Sequence, residues 1–182
     1  MARDARCREH RRVPYRFLIV GEDGVERALR GGLATLLAAT LDDGERYLRR
    51  AWRTLRPTFR VVALHEDEGE PVGQASCFWV PCRPATALLG LGDVAVAPDH
   101  RRRGVARTVC ALATQEGWRL HASAILAKTK PLRGVLAELG FEPVTNGRFF
   151  YLDGGARATH PDWMAAVRMA LPPELELEEG DF

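Results

Sequence analysis

Lysine is nearly absent from this chain. Lys128 and Lys130 are the only two in 182 residues, and arginine supplies the rest of the 26 basic side chains. With so much Ala and Gly alongside, that skew points to the base composition of a GC-rich genome rather than to a function. Charge imbalance is missing too: the net charge is +2, so no strong field argues for nucleic acid or a membrane surface. No apolar run approaches the ~18 residues that a membrane span needs. The basic N-terminus has no apolar stretch behind it, so no secretory signal is expected. Four cysteines occur, Cys7, Cys77, Cys82 and Cys110, but no Cys-x-x-Cys pair and no histidine pair at ligand spacing. A zinc site or any other metal is therefore not expected. Cys77 and Cys110 lie in apolar surroundings and read as small core residues. Reduced thiols and a cytoplasmic protein are expected.

Hydrophobic residues make up 46% of the chain and charged residues 27%, enough for one domain with a substantial core. There is no internal repeat and no linker. Residues 1–14 read as a flexible basic arm, 15–173 as the folded domain, and 174–182 as an acidic tail. Within the domain, Tyr15–Val20 suits a first strand. Gly31–Thr40 and Glu45–Leu55 space their apolar residues as helices do, separated by Asp42-Asp43-Gly44. Phe59–His65 and Val72–Val80 suit strands joined by a polar turn at 66–71. Leu88–Val96 is apolar enough for burial on both faces. Val105–Arg119 reads as an amphipathic helix, His121–Ala127 as a strand, and Pro131–Leu139 as a helix closed by Gly140. Two last strands are predicted at Glu142–Tyr151 and Met164–Leu171. The alternation in the centre implies an α/β arrangement, with a parallel step between the strands at Leu88–Val96 and His121–Ala127.

The stretch from Leu91 to Ala106 is the most informative. It reads as a buried strand, a short polar turn, and the first turn of a helix built around glycine and small residues. A helix start offers unpaired backbone N–H groups and the positive end of a dipole. Arg101, Arg102 and Arg103 lie in the same turn, and Gly104 lets a ligand approach the backbone. That combination suits a pyrophosphate.

The residues Arg101-x-x-Gly104-x-Ala106 resemble the Arg/Gln-x-x-Gly-x-Gly/Ala signature of the GNAT superfamily of N-acetyltransferases. Val94-Ala95-Val96-Ala97-Pro98-Asp99 precedes it, as that family's fourth strand does. Downstream, Leu139-Gly140-Phe141 matches the family's Leu-Gly-Phe ending. The resemblance covers roughly residues 59–171. It implies a single-domain α/β (α+β) fold. Its central sheet would be mixed, mostly antiparallel and twisted, of about seven strands, with helices on both faces and a V-shaped splay between the fourth and fifth strands. It also implies acetyl-CoA, or another acyl-CoA, as co-substrate. Backbone amides from Arg102 through Arg103, Gly104, Val105 and Ala106 to Arg107 would hold the pyrophosphate, with Arg101, Arg102 and Arg103 adding charge. The backbone of Val94, Ala95 and Val96 would meet the pantetheine amides, and one of those N–H groups would polarise the thioester carbonyl. Thr129 falls where the family often places an asparagine.

An alkyl ammonium has a pKa near ~10, so an amine acceptor must lose a proton before it attacks. Asp93 is the only carboxylate on its strand and is the candidate base or amine anchor. The places where some relatives carry a glutamate are Gly90 and Gly92. Many relatives have a tyrosine five residues before the Phe of Leu-Gly-Phe; here that position is Leu136, and Tyr151 is the candidate substitute acid. His65 reads as a surface hairpin residue and His121 as structural. His100 is a candidate contact to the nucleotide end, and Trp79 a candidate groove residue. The ending with Glu174, Glu176, Glu178, Glu179 and Asp181 is faintly similar to the tails of acetyltransferases that modify aminoglycosides, and would attract a polycation. The resemblance thus implies acetyl transfer to a primary amine of a small molecule, aminoglycoside-like or polyamine, by a monomer or homodimer. The alternatives are acetylation of a protein N-terminus or lysine, or a non-catalytic acyl-CoA sensor.

Overall fold

The computed structural model describes residues 14–41, 44, 47–48, 56–80, 87–128, 131–144 and 149–153. Seven strands form one sheet: β1 (Tyr15–Gly21), β2 (Phe59–His65), β3 (Pro71–Val80), β4 (Leu88–Val96), β5 (Ala124–Lys128), β6 (Glu142–Val144) and β7 (Phe149–Asp153). Their spatial order is β1-β2-β3-β4-β5-β7-β6. Every neighbouring pair is antiparallel except β4 and β5, which run parallel. A parallel step needs a crossover, and the helix α2 (Val105–Arg119) provides it. Among the described residues the other helices include α1 (Arg27–Thr40) and α3 (Arg133–Glu138).

Side chains on a strand alternate between the faces of the sheet, so β2 feeds two cores at once. Phe59, Val61 and Ala63 pack on the α2 side with Leu89, Leu91, Val109, Cys110 and Ile125. Val62 and Leu64 pack on the α1 side with Leu33, Leu36, Leu37, Tyr47 and Ala95. Cys77 and Cys110 are fully buried, as the sequence suggested. Burial pushes the Cys110 thiol up to about 12 and Cys77 well above its ordinary value, so both stay protonated core residues.

The fold matches the expectation, with differences in the parts. The predicted single strand at Glu142–Tyr151 is two strands, β6 and β7, paired antiparallel with Glu142 opposite Tyr151. Asn146-Gly147 between them is a hairpin signal that apolar alternation alone passes over. The strand predicted from His121 starts later, at Ala124, because His121 has φ +61 and its N–H donates to the Trp118 carbonyl at 3.0 Å. Most of the predicted helix at Glu45–Leu55, the strand at Met164–Leu171, all but Pro14 of the basic arm at 1–14, and the acidic tail lie outside the described residues. Among the described residues no helix is long and apolar enough to cross a membrane.

Candidate active site

Among the described residues, parallel pairing of β4 and β5 runs from Leu88 opposite Ala124 to Leu91 opposite Ala127, and stops there. β4 continues to Val96, so a wedge opens beside its last five residues, at the predicted splay. On its other edge β4 stays paired to β3, with Ala95 opposite Gln74 and Val96 opposite Gly73. The Ala97 N–H donates to the Val72 carbonyl at 2.9 Å. Antiparallel strands alternate the direction of their backbone groups. Val96 therefore turns its amide toward the wedge, and Val94 lies in the irregular part of β4, where the register shifts between Gln74 and Ser76.

At the end of β4 the chain makes a 3₁₀ turn, Pro98–His100, with the His100 N–H donating to the Ala97 carbonyl at 2.9 Å. Arg102 has φ +60 and Gly104 φ +81, and α2 begins at the next residue. Val105 is buried and anchors the helix, whereas Arg101, Arg102, Arg103 and Gly104 are exposed. No side chain caps α2. Its first helical bond runs from the Thr108 N–H to the Gly104 carbonyl at 3.0 Å. Among the described residues, the amides from Arg102 to Arg107 donate to no backbone carbonyl. A Cβ at Gly104 would meet nothing within 4 Å, so the approach to these amides is open. Orphan donors, a dipole end and three arginines fit a pyrophosphate.

A family model described as "Acetyltransferase (GNAT) family" matches residues 26–141. The chain belongs to the GNAT acetyltransferase family. It is 33% identical to the N-acetyltransferase Eis of Mycobacterium tuberculosis (strain ATCC 25177 / H37Ra), over 72% of this chain and 35% of that protein. The same protein of Mycobacterium bovis (strain BCG / Pasteur 1173P2) matches equally. The chain thus spans about a third of the length of the curated relatives it matches. Among solved structures, the fold is similar to the GNAT family N-acetyltransferase YhbS of Escherichia coli in complex with CoA. That match has 20% identity and TM-score 0.61, over 79% of this chain and 84% of that one. It is also similar to an aminoglycoside acetyltransferase from an uncultured soil metagenomic sample. There the identity is 21% and the TM-score 0.53, over 64% and 80% of the two chains.

Departures from the GNAT pattern have physical reasons here. The glutamate that some relatives place on β4 would fall at Gly90 or Gly92. A Cβ at Gly90 would lie 2.2 Å from Phe78 Cε2, and one at Gly92 3.2 Å from Phe78 Cε1. The Phe78 ring on β3 thus occupies the space such a carboxylate would need. Gly90→Ala is expected to cost about 1–3 kcal/mol, the usual price of forcing a packed ring aside. Thermal unfolding checks this, and Phe78→Ala should relieve the loss. Leu136, where relatives carry tyrosine, is 1% exposed and packed in the α2-side core.

Asp93 is half-buried on β4 with φ +45, in the left-handed region. Its Oδ1 accepts a hydrogen bond from the Tyr47 hydroxyl at 2.9 Å. Tyr47 is a residue that sequence reasoning missed. It is 2% exposed and follows the Gly44 turn, with its N–H donating to the Gly44 carbonyl at 3.0 Å. Tyr151 is on β7 opposite Leu126 of β5. Thr129 lies outside the described residues. His100 does not stand free in the phosphate turn: its Nδ1 shares a hydrogen bond with the Tyr15 hydroxyl at 3.0 Å, and its ring lies 5.5 Å from that of His65. That contact ties the turn to β1. The Arg107 side chain reaches Glu138 of α3 at 3.5 Å on the surface. Trp79 is exposed at the end of β3. Among the described residues no group of three or more His, Cys, Asp or Glu is placed to hold a metal ion.

Proposed function

We propose that this chain moves an acetyl group from acetyl-CoA, or a related acyl-CoA, to a primary amine of a small molecule by direct attack. The observation that carries this reading is the uncapped start of α2 at Gly104 standing beside the open edge of β4. The amides of Arg102 to Arg107 hold the pyrophosphate. Val94 and Val96 orient the pantetheine along β4, as an added strand would be held. When bound, acetyl-CoA supplies an activated thioester. The Val94 N–H faces the place where negative charge grows during attack, and stabilises it there. Asp93 accepts the proton from the incoming ammonium, and the Tyr47 hydroxyl fixes the carboxylate that receives it. Tyr151 supplies the proton for the departing thiolate.

Asp93→Asn keeps the size and the bond from Tyr47 but cannot take a proton. Its kcat should fall about a hundredfold or more, within the range of general-base loss. CoA affinity by calorimetry should stay the same. Full activity in this variant removes Asp93 from the reaction. A small-molecule acceptor is supported by the similarity of the fold to an aminoglycoside acetyltransferase. A peptide acceptor is the second reading, because the fold is also similar to the NatC complex bound to Gag peptide and CoA, at 15% identity and TM-score 0.61 over 76% of this chain and 98% of that one. Free-thiol release with panels of aminoglycosides, polyamines and peptides separates the two, and a chain that binds acetyl-CoA but releases no thiol is a sensor.

A further inference from the structure

Among the described residues, one arginine is buried completely. Arg60, in the middle of β2, is 0% exposed, and Glu22, just after β1, is 3% exposed. Arg60 Nε donates to Glu22 Oε2 at 2.6 Å, and Arg30 Nη1 of α1 donates to Glu22 Oε1 at 2.6 Å. The same guanidinium donates through Nη1 to Gln74 Oε1 at 2.8 Å and Ser76 Oγ at 3.1 Å, both on β3. Gln74 is itself 0% exposed. Its Nε2 donates to the Asp93 carbonyl at 2.5 Å and to Ser76 Oγ at 3.2 Å. A continuous polar path therefore runs from the Glu22 carboxylate, across two strands, to the backbone of the residue read above as the base.

The path ends where β4 is irregular. Gln74 pairs with Ala95 and Ser76 with Gly92, so Ala75 alone faces both Asp93 and Val94. This is a β-bulge, and it forces φ +45 on Asp93. A non-glycine residue holds such a backbone only where its surroundings over-determine it. The Gln74 amide is well suited to that. Arginine is donor only, so Arg60 compels the Gln74 carbonyl oxygen to face it. The NH₂ group is then compelled to face Asp93. Reversing the amide would set NH₂ against guanidinium and oxygen against carbonyl.

We infer that Gln74, oriented by the buried Arg60–Glu22 pair, is a positioning residue that sets the β4 bulge, and through it the Asp93 carboxylate and the Val94 amide. The inference rests on the transferase reading above. Two variants test it. Gln74→Leu removes both bonds; Gln74→Glu keeps an acceptor for Arg60 but loses the donor to Asp93. In both, kcat should fall by about tenfold or more, while the Kd for CoA rises by a smaller factor, because Gln74 makes no hydrogen bond to the amides of residues 102–107 that hold the diphosphate. In an Asp93→Asn background the Gln74 changes should lower kcat by less than they do in the wild type, since residues acting as one unit are non-additive and only the part carried by the Val94 amide is left to lose. A simple loss of packing would lower the melting temperature and add fully to Asp93→Asn. Unchanged kcat in either folded variant, or full additivity, overturns the inference. If the wild-type chain acetylates no amine in the panel, the transferase reading fails separately. The backbone amide resonances of Asp93 and Val94 then decide: they must shift in Gln74→Leu, and unmoved resonances overturn the positioning role.

Discussion

Gly104→Val is expected to lower the affinity for coenzyme A by at least about a hundredfold while leaving the sheet folded. Gly104 holds φ +81 and ψ −2 at the start of α2. A left-handed conformation costs an ordinary residue roughly 1–2 kcal/mol, and a β-branched one is a genuine outlier there. The chain escapes that strain by rotating the peptide units on either side, which are the ones that present the amides of Gly104 and Val105. Each hydrogen bond to a charged phosphate contributes about 1.5–3 kcal/mol. Losing two of them removes roughly 3–6 kcal/mol, or about two to four powers of ten in Kd. Calorimetric titration with CoA reads the affinity, and thermal unfolding checks the fold. The fold should hold, since a Cβ at this position meets nothing within 4 Å. Replacing Arg101, Arg102 and Arg103 together by alanine should weaken binding far less, by about tenfold, and mainly at low salt. These side chains are exposed, and exposed charges are screened. Equal losses in the two variants would mean that charge, not the amide cradle, holds the phosphate.

The turn proposed as that cradle was legible in the sequence because every part of it is local. A strand, a 3₁₀ turn, two left-handed residues and a helix start fall within Leu91–Ala106, and each leaves a mark in residue type. The boundaries of β2, β4 and α2 were read to the residue for the same reason: apolar periodicity and turn chemistry act over short distances. The pairing of β6 with β7 was missed because Glu142–Tyr151 was read as one strand across Asn146-Gly147. The bulge, and the network that fixes it, was not legible. Arg60, Gln74 and Ser76 alternate with apolar residues, which in a strand is the ordinary mark of a solvent-facing side. Only the covering of that face by α1 and Glu22 makes them core. The bond from Tyr47 to Asp93 spans 46 residues and the one from Arg60 to Glu22 spans 38. No spacing rule reaches that far. The two glycines of β4 could be seen to lack the expected carboxylate, but the reason, the Phe78 ring above them, is a tertiary fact.

The second large effect concerns stability. Arg60→Met should destabilise the fold by about 3–5 kcal/mol, the range found when one partner of a buried ion pair is removed. The volume changes little, so the loss comes from what is left behind. Glu22 keeps Arg30, which is one-third exposed, but loses its fully buried partner. Gln74 Oε1 loses its donor, and an unmet buried acceptor costs about 1–3 kcal/mol by itself. For a chain of this length each kcal/mol moves the melting temperature by roughly 2–4 °C, so a drop of about 6–20 °C is expected in calorimetry. Glu22→Gln in the same background should recover part of it, because the remaining buried charge is then removed while Arg30 keeps an acceptor. That recovery separates a penalty of uncompensated charge from a simple packing defect, which the second change could only worsen. A melting temperature within about 2 °C of the wild type in Arg60→Met, less than the shift of a single kcal/mol, would show that the network contributes orientation without stability.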